Sequence, residues 1–434
     1  MSSRVAITGM SAFTPFGVGV EPLMLALHEG RTSVEPAPQL PEVGIALIKD
    51  FDALRYANVR GMRVYARATQ LEICAVALAL SDAGLASPGL PPAAISGAAS
   101  SGAAISGAGS SGAAISGAAS LSVLDPLELG LVTASSYSHL ETLLDYDRGL
   151  TTLGMQRTNP TLMPLGLPSA PGAATALSML AKAFAITLND GGASGLAALG
   201  LGARLIAEGR AQVCVVAGAF TLFPELLLSE SRARRLSSAE RFRVLDRASA
   251  GIAFGEAAAA LVLEPEARVL ARGRKALGFV RAEASRFAAS EPEPGAALGR
   301  ACEAALRRAE VAPEGVALAC LGANGRAPLD DAHAQAVSRA LGKHALRTPV
   351  TAPKASLGES LDPSGLLQSI VAVSALRTRR APPIARFETP RVPGLGYLSE
   401  PTALQPGAAL LTAISPSGAC SALVLSEQLS QRGE

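Results

Sequence analysis

The sequence is short of charge, lysine, histidine and aromatic residues. Charged residues make up 17% of its 434 positions, with 38 basic against 36 acidic, a formal balance of +2. That balance excludes a protein living on nucleic acid or anionic lipid, which needs a basic surplus. Lysine occurs only at Lys49, Lys182, Lys275, Lys343 and Lys354, so nearly all positive charge is arginine. Tryptophan is absent, aromatics reach 4%, and the four histidines are His28, His139, His333 and His344. The five cysteines, Cys74, Cys214, Cys302, Cys320 and Cys420, are odd in number, scattered and never paired as CxxC. Neither a zinc site nor a disulfide framework is therefore expected, and the cysteines are read as small buried hydrophobes. The start, MSSRVAITGMSAF, has no charged-then-apolar leader, and proline, glycine and serine break every long uncharged stretch before it could span a membrane. A cytoplasmic protein is expected.

What remains is apolar. Hydrophobic residues make up 49% of the chain, enough for a large core and too many for disorder. Short apolar strands alternate with helices. Strands are expected at 5–10, 130–134, 212–219, 257–264, 278–282, 316–323, 409–414 and 420–425. Helices are expected at 70–83, 195–209, 296–309, 330–341 and 364–377. Continuous apolar strands between helices imply an α/β body with sheets covered on both faces. The cycle restarts near residue 266, which predicts two similar halves, 1–265 and 266–434. Residues 95–120 interrupt the first half with a ten-residue repeat, ISGAASSGAA, ISGAGSSGAA and ISGAAS. It offers one Ile per copy to bury and is read as a flexible, exposed insertion.

Several segments resemble one family. Arg4-Val5-Ala6-Ile7-Thr8-Gly9-Met10 with Thr14-Pro15-Phe16-Gly17, then Phe51-Asp52 and Asp82-Ala83-Gly84-Leu85, resemble the opening of 3-oxoacyl-ACP synthases of the thiolase fold. Phe242 to Asp246, Gly251 and Phe254-Gly255-Glu256-Ala257 resemble that family's FDxxRxGxxxGEGA segment. Leu329-Asp330-Asp331-Ala332, and Lys354 through Ala381-Pro382-Pro383, resemble its later motifs. The resemblance implies a layered αβαβα body of two βαβ-rich halves with mixed sheets. It also implies decarboxylative condensation, in which a cysteine takes an acyl group from a carrier protein and two histidines assist loss of CO2 and hold the enolate oxygen.

The positions that carry that chemistry depart from the pattern. The cysteine turn T-A-C-x-S-G reads Gly191-Gly192-Ala193-Ser194-Gly195, which puts Gly192 at the nucleophile. The first histidine position is Asn324, in Ala323-Asn324-Gly325-Arg326; the second is Glu359, after the retained Lys354. The family's acidic partner of that lysine falls at Gln368, and its GFGG loop is altered to Ser415-Pro416-Ser417-Gly418. A glycine cannot be acylated, asparagine cannot shuttle protons, and an ionised Glu359 would repel a malonyl carboxylate. The expectation is a chain that is no enzyme on its own, with Lys354 neutralising Glu359 or other carboxylates of the pocket, or serving as a structural residue.

The closest pattern is that of the chain-length factor, the β-subunit of type II ketosynthase heterodimers, although that group commonly has Gln where Gly192 stands. The resemblance implies an active ketosynthase partner, an acyl carrier protein with its phosphopantetheine-bound chain, and an acyl tunnel closed by bulky side chains. It implies no cofactor, metal, nucleic acid or membrane. Candidate tunnel or interface residues are Tyr137, His139, Met163, Leu165 and Leu167, for which ordinary core packing is the competing role. Arg232, Arg234 and Arg235, with Arg241 and Arg243 nearby, are candidates to dock an acidic carrier protein, against a solvated loop with local ion pairs. Two other functions compete: an enzyme that processes acyl thioesters through Glu359 or an Asp190–Ser194 pair, and a carrier-binding module that works alone.

Overall fold

A computed structural model describes residues 4–87, 89–90, 122–288 and 294–427. The repeat at 95–120 lies outside the described residues.

The strands used below are β1 (Val5–Thr14), β2 (Leu129–Ala134), β3 (Phe184–Leu188), β4 (Val213–Phe220), β5 (Ala257–Pro265) and β6 (Gly278–Phe287). They continue with β7 (Val316–Leu321), β8 (Pro349–Thr351), β9 (Gly396–Tyr397), β10 (Ala408–Ile414) and β11 (Ala419–Ser426). With Gly17–Val18 beside β1 they form one twelve-stranded mixed sheet, in the order β9-β8-β7-β10-β11-β6-β1-β5-β4-β2-β3. All ten residues of β1 are buried. This strand joins the halves, pairing antiparallel with β5 on one side and, through Val5–Ile7, with β6 on the other. Each half thus keeps its own set of strands, and one short antiparallel pairing makes the two sets continuous.

The helices are α1 (Arg67–Asp82), α2 (Leu140–Leu153), α3 (Ala170–Met179), α4 (Ser194–Ala207), α5 (Pro224–Arg232), α6 (Pro294–Ala309), α7 (Ala327–Leu341) and α8 (Ser364–Thr378). α1 covers β1, β4 and β5 from outside, while α6 and α7 cover strands of the second half. α4 and α8 lie between the halves and touch strands of both. The sequence of α8 explains its place. From Ser364 to Leu376 it carries no charge, and each of those residues is buried, as a helix apolar on all sides requires. α4 and α8 meet through paired glycines: a Cβ at Gly195 would stand 2.9 Å from the Gly365 nitrogen, and one at Gly365 2.5 Å from the Leu196 nitrogen. Helices and strands together form the five layers expected. The elements expected from the sequence lie within about five residues of their places, while β3, β8, β9, α2, α3 and α5 are not among them; β1 runs on from Met10 to Thr14 because its apolar pattern continues under α1.

Candidate functional site

α4 begins in the middle layer, and the turn that precedes it is the expected nucleophile turn. After β3, Asp190 leads into a single 3-10 turn, Gly191–Ala193, that runs straight into α4. Gly191 has φ +58°, and a Cβ there would collide with Ser415 Oγ. Gly192 is buried, and a Cβ on it would meet only the Ile414 carbonyl, at 3.3 Å. Ser136 Oγ accepts the Gly191 N–H at 2.9 Å and lies 3.1 Å from Ser194 Oγ, which accepts the Asp190 N–H at 2.8 Å. Ser136 is placed in turn by Asp362, whose carboxylate accepts the backbone N–H groups of Ser136, Tyr137 and Ser138 at 2.8, 2.9 and 3.1 Å. Burial pushes the Asp362 carboxyl up to about 6, and these donors oppose the rise. Ser194 is fully buried and binds the Asp190 amide, so the pair has no nucleophile–base geometry.

The second part of the site brings together Asn324, Lys354 and Glu359. Glu359 Oε2 accepts Lys354 Nζ at 2.7 Å and Asn324 Nδ2 at 2.9 Å, while Oε1 accepts the Leu361 N–H and the Ser364 hydroxyl, each at 2.9 Å. Both charged groups are buried. Burial by itself would raise the Glu359 carboxyl, but the Lys354 ammonium and the hydrogen bonds outweigh it and hold it below the usual carboxylate range. With four donors on two oxygens the carboxylate has no free position for a proton in transit. Its charge is matched by Lys354, so the repulsion expected of Glu359 toward a malonyl carboxylate is offset. Asn324 is itself fixed: Asp330 accepts the N–H groups of Asn324, Gly325 and Leu245 at 2.9, 3.1 and 2.6 Å, and Asn324 Oδ1 accepts the Arg326 N–H at 3.1 Å. Gln368 points elsewhere, toward the Cys320 and Thr412 carbonyls at 3.4 and 3.3 Å. The partner of Lys354 is therefore the residue five positions on.

Sequence reasoning missed Asp362 and Ser136. Neither carries a local motif, since Asp362 meets the 136–138 loop from more than 220 positions away. The Asp330 segment was visible as a motif, but its role as a triple backbone acceptor was not.

The other expected residues scatter. His139 is buried and lines a small cavity together with Leu165, whereas Met163 and Leu167 are exposed. Tyr137 is half-buried against the cluster of Phe220, Phe223, Leu226, Ile252, Phe254 and Leu361. Arg232, Arg234 and Arg235 follow one another at the exposed end of α5, and Arg235 pairs with Glu230 at 3.1 Å. Arg243 spends its guanidinium on the Glu240 and Phe242 carbonyls. All five cysteines are buried and stand outside any disulfide, and burial pushes each one up, Cys74 to about 12 and Cys420 to about 11. Among the described residues no helix is long and apolar enough to cross a membrane.

Five layers and a helix-terminal turn between two halves define a thiolase-like ketosynthase body. The beta-ketoacyl synthase N-terminal domain model matches residues 2–268 and the C-terminal domain model residues 278–388, and the chain belongs to the beta-ketoacyl synthase family. It is 25% identical to a 3-oxoacyl-[acyl-carrier-protein] synthase 2 of Synechocystis over 405 residues, 89% of this chain and 88% of that one. It is 27% identical to an actinorhodin polyketide putative beta-ketoacyl synthase 2 of Streptomyces coelicolor over 442 residues, 97% and 98% of the two chains. Among solved structures, the ishigamide ketosynthase/chain length factor shares the fold with TM-score 0.83 at 19% identity, covering 99% of this chain and all of that one. A type II polyketide synthase acyl-carrier protein in complex with its ketosynthase bound to the hexaketide gives 0.80 at 19%, covering 99% and 100%. One expectation is corrected by these names. The chain was expected to be no enzyme on its own, but curated relatives that match almost its whole length are named as synthases.

Proposed function

We propose that this chain is the chain-length-setting subunit of a type II polyketide or polyene synthase: in the cytoplasm it packs on a ketosynthase partner, shapes the acyl tunnel and receives chains from an acyl carrier protein. The observation that carries the reading is the state of Glu359. At the position of the family's second histidine stands a carboxylate fully occupied by Lys354, Asn324, Leu361 and Ser364, a group built to hold shape. Glycine stands at 192, the family's cysteine position. Tyr137, His139, Met163, Leu165 and Leu167 are the tunnel or interface residues, and Arg232, Arg234 and Arg235 are the carrier-docking residues.

A free apolar edge supports the partner. Among the described residues β3 closes the sheet with one side unpaired, and Leu143, Leu153, Met155, Met163, Leu167, Leu177 and Leu180 are all exposed in the 140–180 segment that precedes it in the chain. Chain length then follows from sterics, since a few methylenes of overlap outweigh the ~0.8 kcal/mol gained per buried CH2. The test is coexpression with a ketosynthase carrying the intact cysteine turn. The pair copurifies, and enlarging Leu165 to Phe shortens the product. A ketosynthase that neither binds this chain nor changes its product range in its presence removes the proposal.

A further inference from the structure

The cavity beside the 136–138 loop has an unusual lining for an acyl-chain wall. Thr69 of α1, Ser138, His139, Thr142 of α2, Leu165 and Ala174 of α3 face it, so hydroxyls and an imidazole outnumber bulky aliphatics. His139 is 5% exposed, and its Nδ1 has no hydrogen-bond partner among the described residues. An unpaired buried polar atom is costly, and a ligand atom would relieve it. The imidazole is preset. Asp362 fixes the backbone of the three preceding residues, and Ser138 Oγ bonds Ser135 Oγ at 2.8 Å. Ser136, three positions before His139, touches the Gly191 turn. Three residues span at most ~10 Å, so the cavity lies close to the turn.

We propose that this cavity, with room for about one water-sized group (about 10 Å³), takes the oxygen of a keto or hydroxyl group on the acyl chain, which pairs with the His139 imidazole, so that His139 selects oxygenated over fully reduced chains. The inference rests on the acyl-tunnel reading above. Burial lowers the pKa of His139 below its ordinary value, so near neutral pH the ring is uncharged, with one N–H and one lone pair. A neutral ring matches a ketone or alcohol and gives no preference for a carboxylate. A methylene at the same place would leave the ring unpaired, and this difference makes the site selective.

Pantetheine amides of octanoate and of 3-oxo-, 5-oxo- and 7-oxo-octanoate, titrated into the full chain by calorimetry, test it. One oxo probe should bind about tenfold more tightly than octanoyl. In His139→Phe that preference should fall within twofold while octanoyl binding persists. Equal binding of all four, no binding of any, or a preference that survives His139→Phe overturns the proposal. If the Phe variant does not fold, imidazole 15N shifts of the unaltered protein decide: the preferred oxo probe moves one buried histidine, and no movement overturns it. Copurification with a ketosynthase is scored separately, so the partner reading and this subsite stand or fall apart.

Discussion

At Glu359 a single side chain shows how a position can keep its place in a fold and change its work. The ion pair with Lys354 is buried, and breaking one side of such a pair leaves an uncompensated charge that costs about 3–5 kcal/mol. Glu359→Gln should lower stability by that order in urea melts, and adding Lys354→Met should restore most of it. Additive losses in the double variant would argue against coupling. Because the Glu359 carboxyl is held below its ordinary value of 4.5, its stabilisation is present above that pH and fades as acid carries the protein through the lower native value. The neighbouring glycines make a second contrast. Gly191→Ala meets both positive φ and Ser415, whereas Gly192→Cys meets only a carbonyl at 3.3 Å. The Cys variant should fold with a cost under ~1 kcal/mol and gain one thiol that iodoacetamide labels. Labelling no faster than that of the five buried natural cysteines would show that the turn is closed.

At the scale of elements, α1 and α3 are tied by a group that resists ionisation. Glu72 of α1 is fully buried; its Oε1 accepts the Thr175 hydroxyl of α3 at 2.8 Å, and Oε2 has no hydrogen-bond partner among the described residues. Burial pushes it up to about 8 from 4.5. Between those values the native state holds a proton that the unfolded chain has lost, so stability from this residue falls as pH rises and levels off above about 8. The loss is on the order of a few kcal/mol. Glu72→Gln should flatten the dependence, with a higher urea midpoint than the natural chain at pH 8.5 and little difference at pH 5. A slope unchanged in the variant would place its origin elsewhere, with Asp330 and Asp362, each pushed up to about 6, as the other groups titrating with the same sign.

For the whole molecule, the decisive feature is what the sheet leaves open. Among the described residues β3 ends the sheet on one side, next to the helix α3 that carries the exposed Leu177, while the opposite end closes with the short β9. Leu167→Arg places a charge on that surface without touching the core. It should leave the thermal midpoint within about 2 °C and abolish copurification with a ketosynthase. Retention of the partner would move the interface off this face.

Periodicity and local motifs decided a great deal here. Apolar runs fixed β1, β4 and α8, and motif spacing marked Gly192, Asn324 and Glu359, because those signals reside in neighbouring residues. The sequence also offered Glu359 as one of the carboxylates that Lys354 meets, and the structure pairs the two. Only the tertiary structure could decide that Gln368 turns away from Lys354, that Asp362 holds the loop at 136–138, and that His139 shares a cavity with Leu165. Each of these depends on side chains brought together from far along the chain. Hydrogen-bond partners and cavities form only when distant elements pack, and no pattern of neighbouring residues encodes them.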